Sequence, residues 1–151
     1  KYVLLTHGHF DHVGGVKALV AEFPGLPVYL HPGDTNLTPE LCQGLWWTDH
    51  YEDDDVLQMD GVAFRVLHTP GHTPGSVCLM AEDVLLTGDT LFAGSCGRTD
   101  FPGGSWDQLM DSFARLAALP GDYAVLSGHS EKTTLETERR SNPYMKEAMK
   151  R

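Results

Sequence analysis

Four times in this chain a short apolar run ends at a glycine beside a metal-type side chain. KYVLLT, residues 1–6, leads into THGHFDH, which places His7, His9, Asp11 and His12 within six residues. The run 62–68 leads across Pro70-Gly71 to His72, the run 84–87 across Gly88 to Asp89, and the run 123–127 across Gly128 to His129. A glycine at a strand end lets the backbone approach its surroundings closely while the side chain beyond it points off the sheet. In an extended loop alternate side chains share a direction, so His7, His9 and Asp11 can converge while His12 turns in at a helix start. Imidazoles and carboxylates suit zinc, and also iron or manganese. Four donors from one loop are more than one tetrahedral ion usually accepts at a single point, so the pattern hints at two ions.

Residues 68–76, HTPGHTPGS, write one tetrapeptide twice and offer two histidines for one role. His68 falls in phase with Val62, Phe64 and Val66, which puts it on the buried face of a strand. His72 lies beyond that strand, in a loop shaped by proline and glycine, where ligands usually sit. The expectation is that His68 packs near the site and His72 belongs to it.

The rest of the chain reads as α+β. KYVLLT has the pattern of a buried strand, apolar on both faces as a central strand would be. A helix is expected over Val13–Phe23, stopped by Pro24-Gly25, and a strand over Pro27–His31. Residues 32–55 look irregular, with one helical turn at Pro39–Gln43. Asp54–Met59 and Val62–His68 form a hairpin across Asp60-Gly61, and Ser76–Ala81 with Val84–Thr87 form another. A helix over 105–119 carries a capping box, Ser105 with Gln108, and apolar residues at helical spacing. A strand follows at Tyr123–Ser127, then a helix opened by Thr133 and Glu136, and a short one at Asn142-Pro143. No linker divides the chain, so residues 1–151 are expected to form one domain.

Charge and cysteines narrow the partners. The formal net charge of −10 leaves no basic stripe to meet nucleic acid or an anionic membrane. No apolar run approaches the ~20 residues a membrane helix needs. Cys42, Cys78 and Cys96 are odd in number and hold no C-x-x-C pair, which fits reduced thiols and a cytoplasmic setting.

The set H-x-H-x-D-H, P-G-H-T-x-G-S, G-D-T and G-H resembles the metallo-β-lactamase-fold superfamily, and most closely the short glyoxalase II-like hydrolases. GDTLFAGSCGRTDFPGGS and TTLETERRSNPY extend the likeness over essentially the whole chain. The resemblance implies a four-layer αββα sandwich and a binuclear zinc site, with iron or manganese as other candidates. It implies that His7, His9 and His72 hold one ion, that Asp11, His12 and His129 hold the other, and that Asp89 bridges them. Two departures stand out. The last ligand sits in Gly128-His129-Ser130-Glu131, where the family commonly has G-H-G-P. The family also has several strands ahead of H-x-H-x-D-H that are absent here, so part of the first sheet is expected to be missing and the natural chain to continue upstream of Lys1.

Two ions sharing a hydroxide supply a nucleophile at neutral pH, since zinc draws the pKa of bound water to about 7. Asp11 is the expected catalytic residue, orienting the hydroxide and taking its proton. A small-molecule thioester suits such a site, because a thiolate leaving group with a pKa near 8.5 needs no dedicated general acid. Two other readings compete: a mononuclear iron persulfide dioxygenase, which the family also contains, and a truncated chain that keeps its ligands but not its activity. Beyond the ligands, Arg98 and Asp100 are expected to pair. Cys96, in the loop after Asp89, reads as loop filler rather than as a residue facing the site. Trp46, Trp47, His50 and Tyr51 form either a lid or a cap on the core. Arg139, Arg140, Lys146 and Lys150 read as a solvated helix face rather than as contacts for an anionic substrate.

Overall fold

The computed structural model describes residues 1–151. Strand β1 (Val3–Leu4) runs parallel to β2 (Val28–Leu30), joined by helices α1 (Phe10–Val13) and α2 (Val16–Glu22). The single helix expected from Val13 starts three residues earlier and breaks at Gly14-Gly15, where two residues of low helix propensity interrupt the turn. Two 3-10 turns, Pro32–Asp34 and Pro39–Leu41, lead to β3 (Asp49–His50), which adds to β2 in parallel. This gives a first sheet of three short strands, in the order β1-β2-β3. Within residues 1–151, β1 pairs over two residues and with β2 alone. Its faces are both apolar, as expected: Val3 and Leu5 join the helix side, and Leu4 the other.

The second sheet is built from hairpins. β4 (Val56–Met59) and β5 (Val62–His68) turn through Asp60 and Gly61, whose φ values of 50° and 82° suit a tight two-residue reversal. β6 (Val77–Ala81) and β7 (Val84–Gly88) follow. The chain then makes a small hairpin, β8 (Leu91–Phe92) and β9 (Ser95–Cys96), and the amphipathic helix α3 (Trp106–Ala117). It returns as β10 (Ala124–Ser127), parallel to β7, and ends in β11 (Thr133–Thr134), α4 (Leu135–Ser141) and α5 (Pro143–Ala148). The sheet order is β11-β10-β7-β6-β5-β4.

Three apolar clusters stack these parts into four layers. Leu5, Val13, Val16, Val28 and Leu30 join α1 and α2 to the first sheet. Tyr51, Val66, Val77 and Leu79, with Leu4 and Tyr29, fill the space between the sheets. Leu109, Met110, Phe113 and Leu116 of α3 pack with Leu67, Leu85 and Val125 on the outer face of the second sheet. The αββα arrangement expected from the family resemblance is present.

The helix ends explain two local corrections. Ser105 Oγ accepts from the Gln108 N–H at 3.3 Å, as the capping box requires. The cap of α4 is Thr134, which accepts from the Thr137 N–H, and not Thr133, which is held in β11. Arg139 is not on a solvated face. Its guanidinium donates to the carbonyls of Ala117, Leu119 and Gly121, satisfying the acceptors left open where α3 ends. No helix is long and apolar enough to cross a membrane.

Candidate metal centre

The ends of β1, β5, β7 and β10 meet at one edge of the sandwich, and the seven sequence-selected donors meet with them. Two glycines show how tightly. Gly88 has φ +51° and lies against Thr6, where a Cβ would stand 2.6 Å from the threonine hydroxyl. At Gly128 a Cβ would strike the Asp89 carboxylate and the His12 ring. Both strand-end glycines are thus demanded by close approach.

The donors fall into two groups: His7, His9 and His72, and Asp11, His12, Asp89 and His129. In the first, His9 Nδ1 faces His72 Nε2 at 3.1 Å. In the second, His12 Nε2 lies 3.1 Å from His129 Nε2, which is 3.0 Å from Asp11 Oδ2. Asp89 Oδ2 faces both. It lies 3.8 Å from His7 Nε2 and 3.4 Å from His72 Nε2 on one side, and 3.2 Å from His12 Nε2 and 3.3 Å from His129 Nε2 on the other.

This donor set fits metal ions. Two nitrogens each about 2.0–2.1 Å from one tetrahedral ion stand roughly 3.3 Å apart, close to the observed nitrogen–nitrogen separations. His7 Nε2 and Asp89 Oδ1 are buried with no hydrogen-bond partner, an arrangement proteins otherwise avoid. Burial, reinforced by the neighbouring imidazoles, pushes His7 well below its ordinary pKa and His9 down to about 4, so both rings are neutral and can offer lone pairs. His12 moves the other way. Burial lowers it, but the hydrogen bond and charge of Asp89, with Asp11, outweigh that and raise it.

Outer contacts fix the first group. The Arg98 carbonyl oxygen lies 2.7 Å from His72 Nδ1, so that N–H donates outward and Nε2 is left free to face the cluster. Thr6 Oγ1 stands 3.1 Å from His7 Nδ1. Asp34 is a residue the sequence reading missed. Fully buried, it accepts from the Gly8 N–H at 2.8 Å, from the Thr73 hydroxyl at 2.9 Å and from the Gly75 N–H at 2.6 Å. One carboxylate thereby ties the loop bearing His7 and His9 to the loop bearing His72. Burial pushes the pKa of Asp34 up despite those three donors.

His68 stays outside the cluster. Its Nε2–H donates to the Pro74 carbonyl at 2.9 Å, and its ring stacks on His31 at 4.0 Å. Of the two histidines in the doubled tetrapeptide, only His72 reaches the donors. Ser130, at the departure from the family pattern, accepts from the Ala93 N–H at 3.0 Å and pairs with Ser127 Oγ, joining the His129 loop to the β8–β9 hairpin.

A cleft of about 500 Å³ opens on the donors, with Phe10, Leu41, Phe92, Cys96, Arg98 and Phe101 in its walls. Arg98 and Asp100 form the expected pair, at 2.6 and 2.7 Å. Cys96 lines the cleft, and burial raises its thiol pKa. Trp46, Trp47, His50 and Tyr51 do not line it. Tyr51 is buried between the sheets with its hydroxyl on the Leu5 carbonyl, Trp47 packs on the first core, and His50 Nδ1–H donates to the Leu30 carbonyl.

The model of the metallo-beta-lactamase superfamily matches residues 1–129, and the chain belongs to that family. Among its relatives is the hydroxyacylglutathione hydrolase GloC of Haemophilus influenzae, 38% identical over 96% of this chain and 76% of that one. Among solved structures, TTHA1623 in a di-iron-bound form superimposes with a TM-score of 0.81 at 38% identity, over 95% of this chain and 76% of that one. ETHE1 from Myxococcus xanthus gives a TM-score of 0.77 at 33% identity, over 95% of this chain and 61% of that one.

Proposed function

We propose that the chain is a binuclear metallohydrolase acting on thioesters, with His7, His9 and His72 holding one ion, Asp11, His12 and His129 the other, and Asp89 shared. The observation that carries this reading is the position of Asp89 Oδ2, within 3.8 Å of imidazole nitrogens from both groups. When bound, the two ions supply Lewis acidity and a water that ionises near neutral pH. Zinc suits the donors, and the di-iron form of a relative makes iron an equal candidate; manganese is also compatible.

The chain's own residues set the rest. Asp11 is 39% exposed and lines the cleft, so besides holding an ion its carboxylate would stand where it could orient the reacting water and take its proton. Asp89 and the buried histidines are fixed behind it. Outside the donor set the lining offers no carboxylic acid and no histidine to protonate a leaving group, and Cys96 is a weak acid. A substrate that departs as a thiolate needs none, which favours thioesters over amides. A small-molecule thioester is the substrate of this reading, and the acidic chain offers nucleic acid and anionic membranes no basic stripe.

The test is a panel of thioesters assayed with and without chelator, beside oxygen uptake with persulfides. Metal-dependent thiol release without oxygen consumption is expected. Oxygen consumption with a single iron per chain and no thioester turnover would replace this reading with the dioxygenase one.

A further inference from the structure

The cleft beyond the donors is apolar where a substrate's remote parts would lie. Phe10 from α1, Leu41 from the second 3-10 turn, Phe92 from β8 and Phe101 from the following loop come together from four separate segments. Phe10 is 53% exposed. A phenyl ring left in water at the mouth of a cleft gains by being covered with an apolar group.

Charge in the cleft points the same way. Arg98 is the only cation in the lining. It is already engaged: Nε and one terminal nitrogen bond the two Asp100 oxygens, and the guanidinium lies 3.9 Å over the Phe101 ring. The other charged side chains of the lining are Asp11 and Asp89, both carboxylates of the donor set. A thiol carrier bearing free carboxylates therefore meets no unpaired side-chain cation in these walls, and the net charge of −10, which two divalent ions reduce but do not reverse, opposes its approach.

We infer that this cleft selects thioesters whose acyl group is aromatic or bulky and apolar and whose thiol carrier is uncharged. The inference rests on the thioesterase reading, and it departs from the anionic glutathione carrier named for the Haemophilus relative.

Binding and turnover separate the two claims. Non-hydrolysable thioethers are titrated calorimetrically into the metal-loaded chain: S-benzyl-N-acetylcysteamine, its S-methyl counterpart and S-benzylglutathione. The neutral benzyl compound is expected to bind at least ~10-fold more tightly than either of the others, the scale of a buried ring or an unpaired anion. Phe10→Ala and Leu41→Ala should each narrow the benzyl-to-methyl ratio several-fold. Asp100→Asn, which releases Arg98, should strengthen S-benzylglutathione binding several-fold. In turnover, phenylacetyl-N-acetylcysteamine should exceed both its acetyl counterpart and phenylacetylglutathione in kcat/KM. Tighter binding of S-benzylglutathione than of the neutral thioether, or a benzyl-to-methyl ratio unmoved by both alanine variants, overturns the inference and leaves the thioesterase reading intact. Preferential binding of the neutral benzyl thioether with no thioester hydrolysed supports the apolar cleft and rejects the thioesterase.

Discussion

His7, His9 and His72 are each at most 4% exposed, whereas across Asp89 the side chains of His129 and Asp11 are 50% and 39% exposed. The buried three are held from behind. Thr6, the Arg98 carbonyl and Asp34 fix their rings or their loops. His129 relies on its loop alone, which Ser130 fastens to the β8–β9 hairpin. Sites whose ligands are oriented by outer hydrogen bonds hold metal more tightly than sites left to loop geometry. One half of the centre is thus preorganised and the other opens on the cleft.

The largest expected effect comes from the buried half. His72→Ala should remove the ion held with His7 and His9 and reduce turnover at least ~1,000-fold, measured by elemental analysis beside kcat. A variant that keeps both ions would show that the buried trio does not hold one of them. Asp34→Ala comes next. It leaves the Gly8 and Gly75 N–H groups and the Thr73 hydroxyl without their acceptor, at about 1–3 kcal/mol for each group that stays dry. The unfolding midpoint should fall by ~10 °C or more, and metal retention should fall with it. Unchanged metal affinity would show that the two loops hold their register without the carboxylate.

The chelator-treated chain should lose stability on acidification. His7 and His9 have pKa values below their unfolded value of about 6.5, so the folded state binds fewer protons than the unfolded one. Their contribution to stability is whole above pH ~6.5 and is lost as pH falls, through about 4 for His9. His12, raised, acts oppositely and offsets part of it. The midpoint should drop by roughly 5–10 °C between pH 7 and 5, and a flat or rising profile would contradict the neutral, buried trio. Smallest is His68→Ala. It should cost the stacking on His31 and the bond to Pro74, with both ions retained and activity altered no more than ~10–100-fold.

Much of this was legible because the decisive signals are local. A strand, a glycine and a ligand are neighbours in sequence, and so are Ser105 and Gln108 or Asp60 and Gly61. The pairing of Arg98 with Asp100 spans two residues. What escaped depends on distance. Asp34 earns its role only when residues 8, 73 and 75 are brought to it from 26 to 41 positions away. Arg139 reaches back to the end of α3, 18 to 22 positions earlier, and its own helix pattern gives no hint of that. The break at Gly14-Gly15 is written in the two glycines themselves, although the expectation is one helix over Val13–Phe23. The apolar walls of the cleft come from four separate segments, none with a periodic pattern shared with the others.

The measurement that bears most directly on the unequal halves is a calorimetric zinc titration of the metal-free chain and of its His129→Ala variant at pH 7. The chain should take up two ions in successive steps separated by at least ~10-fold in affinity. The His129→Ala chain should keep the tighter step within about threefold and lose the weaker one. One ion per chain, or loss of the tighter step in His129→Ala, would contradict the account.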